Sequence, residues 1–193
     1  MNLNQFTQKS VAAIQAAQSL AVEHGNQQIE QAHLLLALLQ DDQGLVPQLL
    51  TAMGTAVSNF TENVQALVER LPKVSGGGRE ADKVYISQQV DQALQQAEQV
   101  RISMQDEYVS VEHLFLGLLD KADQTLKELF RTFSITQEKI MRALASVRGN
   151  QRVTSDNPEE TYNALKKYGT DLVEQARKNK LDSVIGRDDE IRN

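Results

Sequence analysis

Hydrophobic positions along this chain recur at the three- and four-residue spacing of amphipathic helices, and short polar or glycine-containing stretches separate them. Ala, Leu, Gln and Glu dominate these segments, whereas continuous runs of β-branched residues are absent. Gly25, Gly54 and Pro72 stand where helices are expected to end. The pattern predicts four helices in the first part of the chain, over residues 4–24, 30–40, 45–53 and 57–71.

The chain contains two related halves at an offset of 80 residues. Residues 29–40 read IEQAHLLLALLQ and residues 109–120 read VSVEHLFLGLLD, so that His33 corresponds to His113. Apolar positions keep this offset over more than fifty residues, which indicates a tandem duplication. We therefore predict an all-α fold, a tandem pseudo-repeat of two four-helix units. Its parts are repeat one over 3–71, a loop over 72–86 and repeat two over 87–149.

Small residues form a stripe along the first helix of each repeat, which favours close packing of these helices in the centre of the fold. The stripe consists of Ala13, Ala17, Ala21, Ala93 and Ala97. One repeat alone has too small a core, whereas two together bury enough to fold as a domain over residues 1–149. The glycine run in the loop between the repeats is typical of a connector, or alternatively of a flap over a groove.

A polar stretch follows Gly149 and precedes one further predicted helix, over residues 158–179. Asn157 is a favourable N-cap and Pro158 fits the first helical position. Glu159 follows, where a negative charge suits the positive end of the helix dipole. We interpret residues 150–193 as a linker, this helix and the opening segment of a second domain.

Composition excludes several classes of function. The 193 residues include 20 Lys and Arg against 26 Asp and Glu, and a net charge of −6 disfavours binding to nucleic acid. The absence of cysteine removes disulfides, thiolate nucleophiles and cysteine-based zinc sites. The longest apolar run is six residues, over 34–39, which is too short for a membrane span. The first residues do not form a signal peptide, so we expect a cytoplasmic protein without membrane partners.

No catalytic motif is evident, and we expect this chain alone not to be an enzyme. His33 and His113 begin apolar helices among leucines, so they are predicted to be structural and not metal ligands. The sequence has no GxxxxGK[ST] phosphate loop, no GxSxG and no HExxH. Binding is therefore the favoured class of function, with no cofactor or metal in this chain.

Three motifs resemble the N-terminal repeat domain of the Clp family of AAA+ chaperones: FTQKSVAAIQAAQSLAVEHG, IEQAHLLLALL and DEYVSVEHLFLGLL. This resemblance covers residues 3–149. Residues 164–192 are similar to the segment that leads into the first ATPase module of that family. The stretches LPKVSGGG, DEYVSVEHL and LKKYGTDL are more similar to the disaggregase branch than to the protease-coupled branches.

The resemblance implies an ATP-driven homohexamer that threads stress-aggregated polypeptides through a central pore and works with the DnaK system. This chain would be its client-binding N-terminal domain, while ATP, Mg and hexamer formation would belong to the ATPase rings of a full-length parent. Val184 and Ile185 match the adenine-contacting segment of the family, and Ser183 stands where the family usually has proline. The alternative is an adaptor-docking domain of a Clp protease-associated unfoldase.

The resemblance also implies candidate site residues. In the family, a groove between the repeats is associated with client binding, and positions matching Thr7, Asp106 and Glu112 are linked to that function. Helix capping and loop structure are almost equally expected roles for these three residues. Apolar residues on or near the seam between the repeats are further candidates for client contact or, equally, for plain core: Val90, Leu94 and Leu114.

Overall fold

The computed structural model describes residues 3–74 and 84–159. Within these residues the secondary structure is helical, with only isolated β-bridges besides, which confirms the all-α class and the four helices of each repeat. A short 3-10 helix over Leu3–Gln5 precedes the first α-helix. The α-helices are α1 Gln8–Glu23, α2 Gln31–Leu39, α3 Leu45–Ala52, α4 Val57–Glu69, α5 Gln88–Ser103, α6 Val111–Asp120, α7 Gln124–Thr132 and α8 Gln137–Arg148.

The first α-helix begins four residues later than the sequence predicted. Thr7 has an extended backbone and its side-chain oxygen accepts a hydrogen bond from the Ser10 amide at 3.1 Å, so Thr7 is the N-cap of α1. Ser87 caps α5 in the same way, accepting from the Val90 amide at 3.1 Å. The two capping residues are 80 positions apart, as the duplication requires.

The repeats exchange the segments that precede their first helices. Phe6 forms a parallel bridge with Val109, just before α6, and Ile86 forms the equivalent bridge with Ile29, just before α2. Each repeat therefore completes the backbone hydrogen bonding of the other, and neither closes by itself. Four hydrogen bonds form the exchange: Thr7 N to Val109 O at 2.9 Å, Val109 N to Gln5 O at 2.7 Å, Ser87 N to Ile29 O at 2.9 Å, and Ile29 N to Tyr85 O at 2.9 Å.

Side chains extend this contact between the repeats. Phe60 of α4 packs against two aromatic rings of repeat two, with ring centroids 6.3 Å from Phe130 and 5.1 Å from Phe133. Phe60 is completely buried, so the aromatic cluster forms part of one core shared by both repeats.

The predicted stripe of small residues is buried at the closest helix contacts. A Cβ atom added to Gly117 of α6 would lie 2.4 Å from the Ala93 carbonyl oxygen and 3.0 Å from the Ala97 amide nitrogen of α5. Such distances leave no room for a methyl group between the two backbones. Repeat one has Ala37 at the position equivalent to Gly117.

Residues that follow Gly149 pack against repeat two and against the start of α1. The Glu107 amide donates to the Val153 carbonyl oxygen at 2.8 Å, and the side chain of Val153 is completely buried. The Gln8 amide donates to the Asp156 carbonyl oxygen at 2.7 Å. We call residues 150–159 the exit segment.

The chain divides into two compact units, Met1–Glu159 and Glu160–Asn193. The first unit extends ten residues beyond the boundary that the sequence suggested at Gly149, because the exit segment packs on both repeats. Most of the predicted helix 158–179, the residues Val184 and Ile185, and the glycine run of the loop lie outside the described residues. Among helices in the described ranges, none is long and apolar enough to cross a membrane.

Gly117→Ala is expected to destabilise the domain by about 1–3 kcal/mol, because the added methyl group forces α5 and α6 apart. Urea unfolding followed by circular dichroism measures the change. The matched control is Ala37→Gly in repeat one, which is expected to cost about 1 kcal/mol through helix propensity. A Gly117→Ala variant as stable as the parent chain would contradict the close contact.

Ending the chain at Gly149 is expected to lower the free energy of unfolding by roughly 2–4 kcal/mol, because the buried Val153 side chain and several hydrogen bonds are lost. A chain ending at Ala164 keeps every contact described for the exit segment and serves as the control. Urea unfolding of both chains and of the 193-residue chain tests this. Equal stability of all three would show that the domain ends at Gly149.

Candidate functional site: a buried polar cluster

The structure brings Thr7, Asp106 and Glu112 into one buried cluster of polar side chains. Helix α1 contributes its N-cap, the turn before α6 contributes Asp106, and the first turn of α6 contributes Glu112. No member is more than 5% exposed to solvent. We call this set the polar cluster, and its members are Thr7, Asp106, Glu112, His113, Arg148 and Glu159.

His113 links the start of α6 to Asp106. The Ser110 amide donates to His113 Nδ1 at 2.8 Å, so the proton of the neutral ring is on Nε2. Nε2 lies 2.7 Å from Asp106 Oδ2 and donates to that carboxylate. The prediction that this histidine is structural is confirmed, since it closes a capping box at the N-terminus of α6.

Arg148, at the end of α8, joins the two predicted acidic residues. Its guanidinium contacts Asp106 Oδ1, and Nη1 donates to Glu112 Oε2 at 3.2 Å. The Val153 amide adds a hydrogen bond to Asp106 Oδ1 at 2.9 Å. Burial opposes the ionisation of Asp106, but the hydrogen bonds from His113, Arg148 and Val153 outweigh it and lower the pKa to about 2.

Glu159 completes the cluster from the end of the exit segment. The Thr7 hydroxyl donates to Glu159 Oε2 at 2.7 Å, and the Val111 amide donates to the same oxygen at 3.3 Å. The other oxygen, Oε1, is buried without a hydrogen-bond partner. Burial and the nearby charge of Glu112 raise the pKa of Glu159 to about 7.

Repeat one has the same framework without the ion pairs that Arg148 makes with Asp106 and Glu112. The His33 Nε2 atom lies 2.7 Å from Asn26 Oδ1, and the Glu30 amide donates to His33 Nδ1 at 2.8 Å. Burial and the charge of His24 lower the pKa of His33 to about 4. The positions that hold Glu112 and Arg148 in repeat two are occupied in repeat one by Ala32 and Val68, which are both buried.

The ion pairs of the polar cluster are therefore not a requirement of the repeat fold. A buried ion pair carries a desolvation cost that an apolar pair avoids, and repeat one uses the apolar solution. The two repeats therefore fill equivalent buried positions in two ways, one apolar and one charged.

The three apolar candidates lie in the core. Val90 and Leu94 of α5 are 2% exposed and Leu114 of α6 is 1% exposed, because the two helices approach closely around Gly117. A client does not reach these side chains in this structure. Of the two roles that the sequence allowed for them, the structure therefore favours plain core.

Sequence reasoning did not place Arg148 and Glu159 in the site. A signal for Arg148 was present, since it replaces the apolar Val68 of repeat one at an otherwise hydrophobic position. Glu159 gave no such signal, because its partner Thr7 is 152 residues away in the chain. Residues 158 and 159 are helical, as the sequence predicted for the start of a following helix, and the carboxyl group of Glu159 lies at the N-termini of α1 and α6.

No group of three His, Cys, Asp or Glu side chains in residues 3–74 and 84–159 is placed to hold a metal ion. The carboxylates of the polar cluster are instead occupied by Arg148, His113 and hydroxyl or amide donors. The cluster has the properties of an anchoring network, and it lacks an exposed nucleophile or acid–base pair facing a cleft.

Residues 5–133 match the family model of the Clp repeat (R) N-terminal domain. The chain belongs to this family, which confirms the resemblance drawn from its motifs.

Individual proteins that are similar to this chain in sequence or structure support the same family assignment. The chaperone protein ClpB of Nitratidesulfovibrio vulgaris is 46% identical over 193 residues, which is 100% of this chain and 22% of that protein. The Hsp104 N-terminal domain from Candida albicans is similar in structure, with a TM-score of 0.70, 24% identity, and coverage of 80% of this chain and 99% of that one. A complex of the ClpV N-domain with a VipB peptide gives a TM-score of 0.61 at 20% identity, covering 81% of this chain and 91% of that one. The chain spans about a fifth of the length of the curated relatives that it matches.

Arg148→Met is expected to destabilise the domain by about 3–5 kcal/mol, because it leaves Asp106 and Glu112 buried without their cation. The control on the same helix is Arg142→Met, which breaks an exposed ion pair with Glu138 and should cost less than about 1 kcal/mol. Urea unfolding provides the comparison.

A triple variant should recover much of this loss by giving repeat two the side chains of repeat one. It combines Asp106→Asn, Glu112→Ala and Arg148→Val. We expect a stability within about 2 kcal/mol of the parent chain, since apolar replacement of a whole buried ion cluster is often close to neutral. A triple variant less stable than Arg148→Met would contradict the equivalence of the two sites.

Proposed function

We propose that this chain is the N-terminal, client-binding domain of an ATP-dependent disaggregase that recovers aggregated proteins together with the DnaK system. The observation that supports this most directly is the similarity to ClpB chaperones along the whole chain, at 46% identity to the Nitratidesulfovibrio vulgaris protein. In this proposal the parent is a cytoplasmic homohexamer, and the ATPase modules bind ATP and Mg outside the chain described above.

Exposed apolar side chains are the proposed contacts for unfolded clients, since unfolded polypeptides present apolar segments. Tyr85 is 70% exposed and stands out among the large hydrophobic residues. Its carbonyl oxygen accepts from the Ile29 amide at 2.9 Å, while the amide of the exposed Val74 donates to the Gly25 carbonyl at 2.8 Å. Tyr85 and Val74 thus flank the same short stretch between α1 and α2.

The fold has a precedent for peptide binding. A ClpV N-domain of the same fold was solved in complex with a VipB peptide, although at 20% identity this supports the architecture and not a particular surface. Binding to this chain should be weak, because an unfolded client loses conformational entropy when it is ordered and must afterwards be released.

The polar candidates have an indirect role in this proposal. Thr7, Asp106 and Glu112 are buried, so they act on clients by fixing the helices and the exit segment around them. Val90, Leu94 and Leu114 are buried in the core. Client contact by any of these six residues would require the repeats to open.

Amide-shift titration of the 193-residue chain with a permanently unfolded model protein, such as carboxymethylated α-lactalbumin, tests the proposal. We expect shifts around Tyr85 and Val74 with an apparent Kd of about 10 µM or weaker, and none with the native, folded protein. Tyr85→Ser should weaken the binding. The matched control is Gln5→Ser, which changes the exposed residue at the equivalent position of the pseudo-repeat.

Two outcomes would contradict client capture. The first is the absence of shifts at millimolar concentrations of the unfolded protein. The second is tight binding of a folded adaptor protein in place of unfolded segments, which would support the adaptor-docking alternative.

A further inference from the structure

The exit segment is attached to both the turn before α6 and the start of α1. In the middle of the segment, the Val153 carbonyl accepts from the Glu107 amide at 2.8 Å and the Val153 amide donates to Asp106 Oδ1 at 2.9 Å. Further on, the Gln8 amide donates to the Asp156 carbonyl at 2.7 Å. These contacts hold the segment along the surface of the first compact unit.

At the last attachment, Glu159, the exit segment itself contributes a buried acid. Only 3% of the residue is exposed, and its Oε1 atom has no hydrogen-bond partner. The Thr7 hydroxyl and the Val111 amide both donate to Oε2, and either interaction is compatible with a neutral carboxylic acid. Ionisation would spread a negative charge over both oxygens, and the share on Oε1 would have no hydrogen-bond donor to stabilise it.

The groups around Glu159 compensate such a charge only in part, because the hydrogen bonds from Thr7 and Val111 favour the ionised form but do not outweigh burial and the charge of Glu112. Helix α6 presents Glu112, whose carboxylate repels a second negative charge. Helix α8 presents Arg148, but the guanidinium is engaged by Glu112 and by Asp106, and Asp106 in turn binds His113. The N-terminus of α1 presents the uncharged hydroxyl of Thr7. Within the described part of the chain, no cation forms an ion pair with Glu159.

We propose that Glu159 is a latch for the exit segment: as a neutral acid it fixes residues 150–159 against α1 and α6, and its ionisation releases them. Thr7 and Glu112 are positioning residues for this latch, the first as donor and the second as the charge that disfavours the ionised state. The latch concerns the domain's own exit segment and does not depend on client binding.

The direction of the pH effect follows from the two states. A released Glu159 loses its proton near the ordinary value of 4.5, whereas the docked carboxyl, whose pKa is raised by burial, keeps it up to about pH 7. Raising the pH through this interval therefore favours release, and lowering it favours docking. A purely structural contact that never titrates would show no such dependence.

Hydrogen exchange of the 193-residue chain tests the latch through the amides of Gln8, Glu107 and Val153, which bond to or within the exit segment. After correction for intrinsic exchange rates, their protection should fall at least about tenfold between about pH 5.5 and about pH 8. The Ser87 amide, which belongs to the exchange between repeats, reports on global opening and should change little.

Variants separate the latch from a general loss of stability. Glu159→Gln keeps the shape and stays neutral, so it should remain protected at both pH values, whereas Glu159→Ala should lose protection at both. The matched control is Glu62→Gln on the exposed face of α4, which should behave like the parent chain.

The proposal is overturned if Glu159→Gln shows the same pH-dependent loss as the parent chain, or if Glu159→Ala keeps full protection. If the Ser87 amide loses protection together with the exit segment, the effect is global unfolding and the latch is likewise rejected. No client is present in this experiment, so its result is independent of the outcome for client capture.

Discussion

The reciprocal exchange of leading segments is the constraint on which the rest of the structure depends. Phe6 lies against Val109 and Ile86 against Ile29, so each repeat supplies backbone hydrogen-bonding groups that the other lacks. An unpaired buried amide or carbonyl is costly, and the two repeats therefore fold as one body with a shared core. The same exchange brings the start of α1 next to the start of α6. The polar cluster forms at that meeting point.

Within this nearly symmetric framework, the two halves differ in charge. In repeat one the histidine forms a hydrogen bond with the neutral Asn26. In repeat two the equivalent histidine forms a hydrogen bond with Asp106, and Glu112 and Arg148 extend the network. Buried ion pairs do not in general make a protein more stable than apolar residues of similar volume would. They differ from apolar residues in requiring hydrogen bonds of defined geometry and in having a protonation state. The charged residues of repeat two also contact the exit segment, since the Val153 amide donates to Asp106.

The position of the cluster gives two of the candidate residues a physical role. Thr7 caps α1 and donates to Glu159, and Asp106 accepts from the exit segment, so both govern the connection as well as the repeats. Substitutions at these buried positions are thus expected to change how firmly the exit segment is held without altering an exposed surface.

The sequence by itself determined the helical class, the duplication and its offset, and the structural role of the histidines, because these depend on local periodicity and on comparison within the chain. It also carried the motifs that resemble Clp chaperones. Only the tertiary structure decided that Val90, Leu94 and Leu114 are core, since the closeness of α5 and α6 at Gly117 is a property of two helices together. The same is true of Glu159, whose carboxyl group meets a hydroxyl 152 residues away. Local patterns describe a residue's neighbours along the chain, and a contact over that distance exists only after the repeats have folded onto each other.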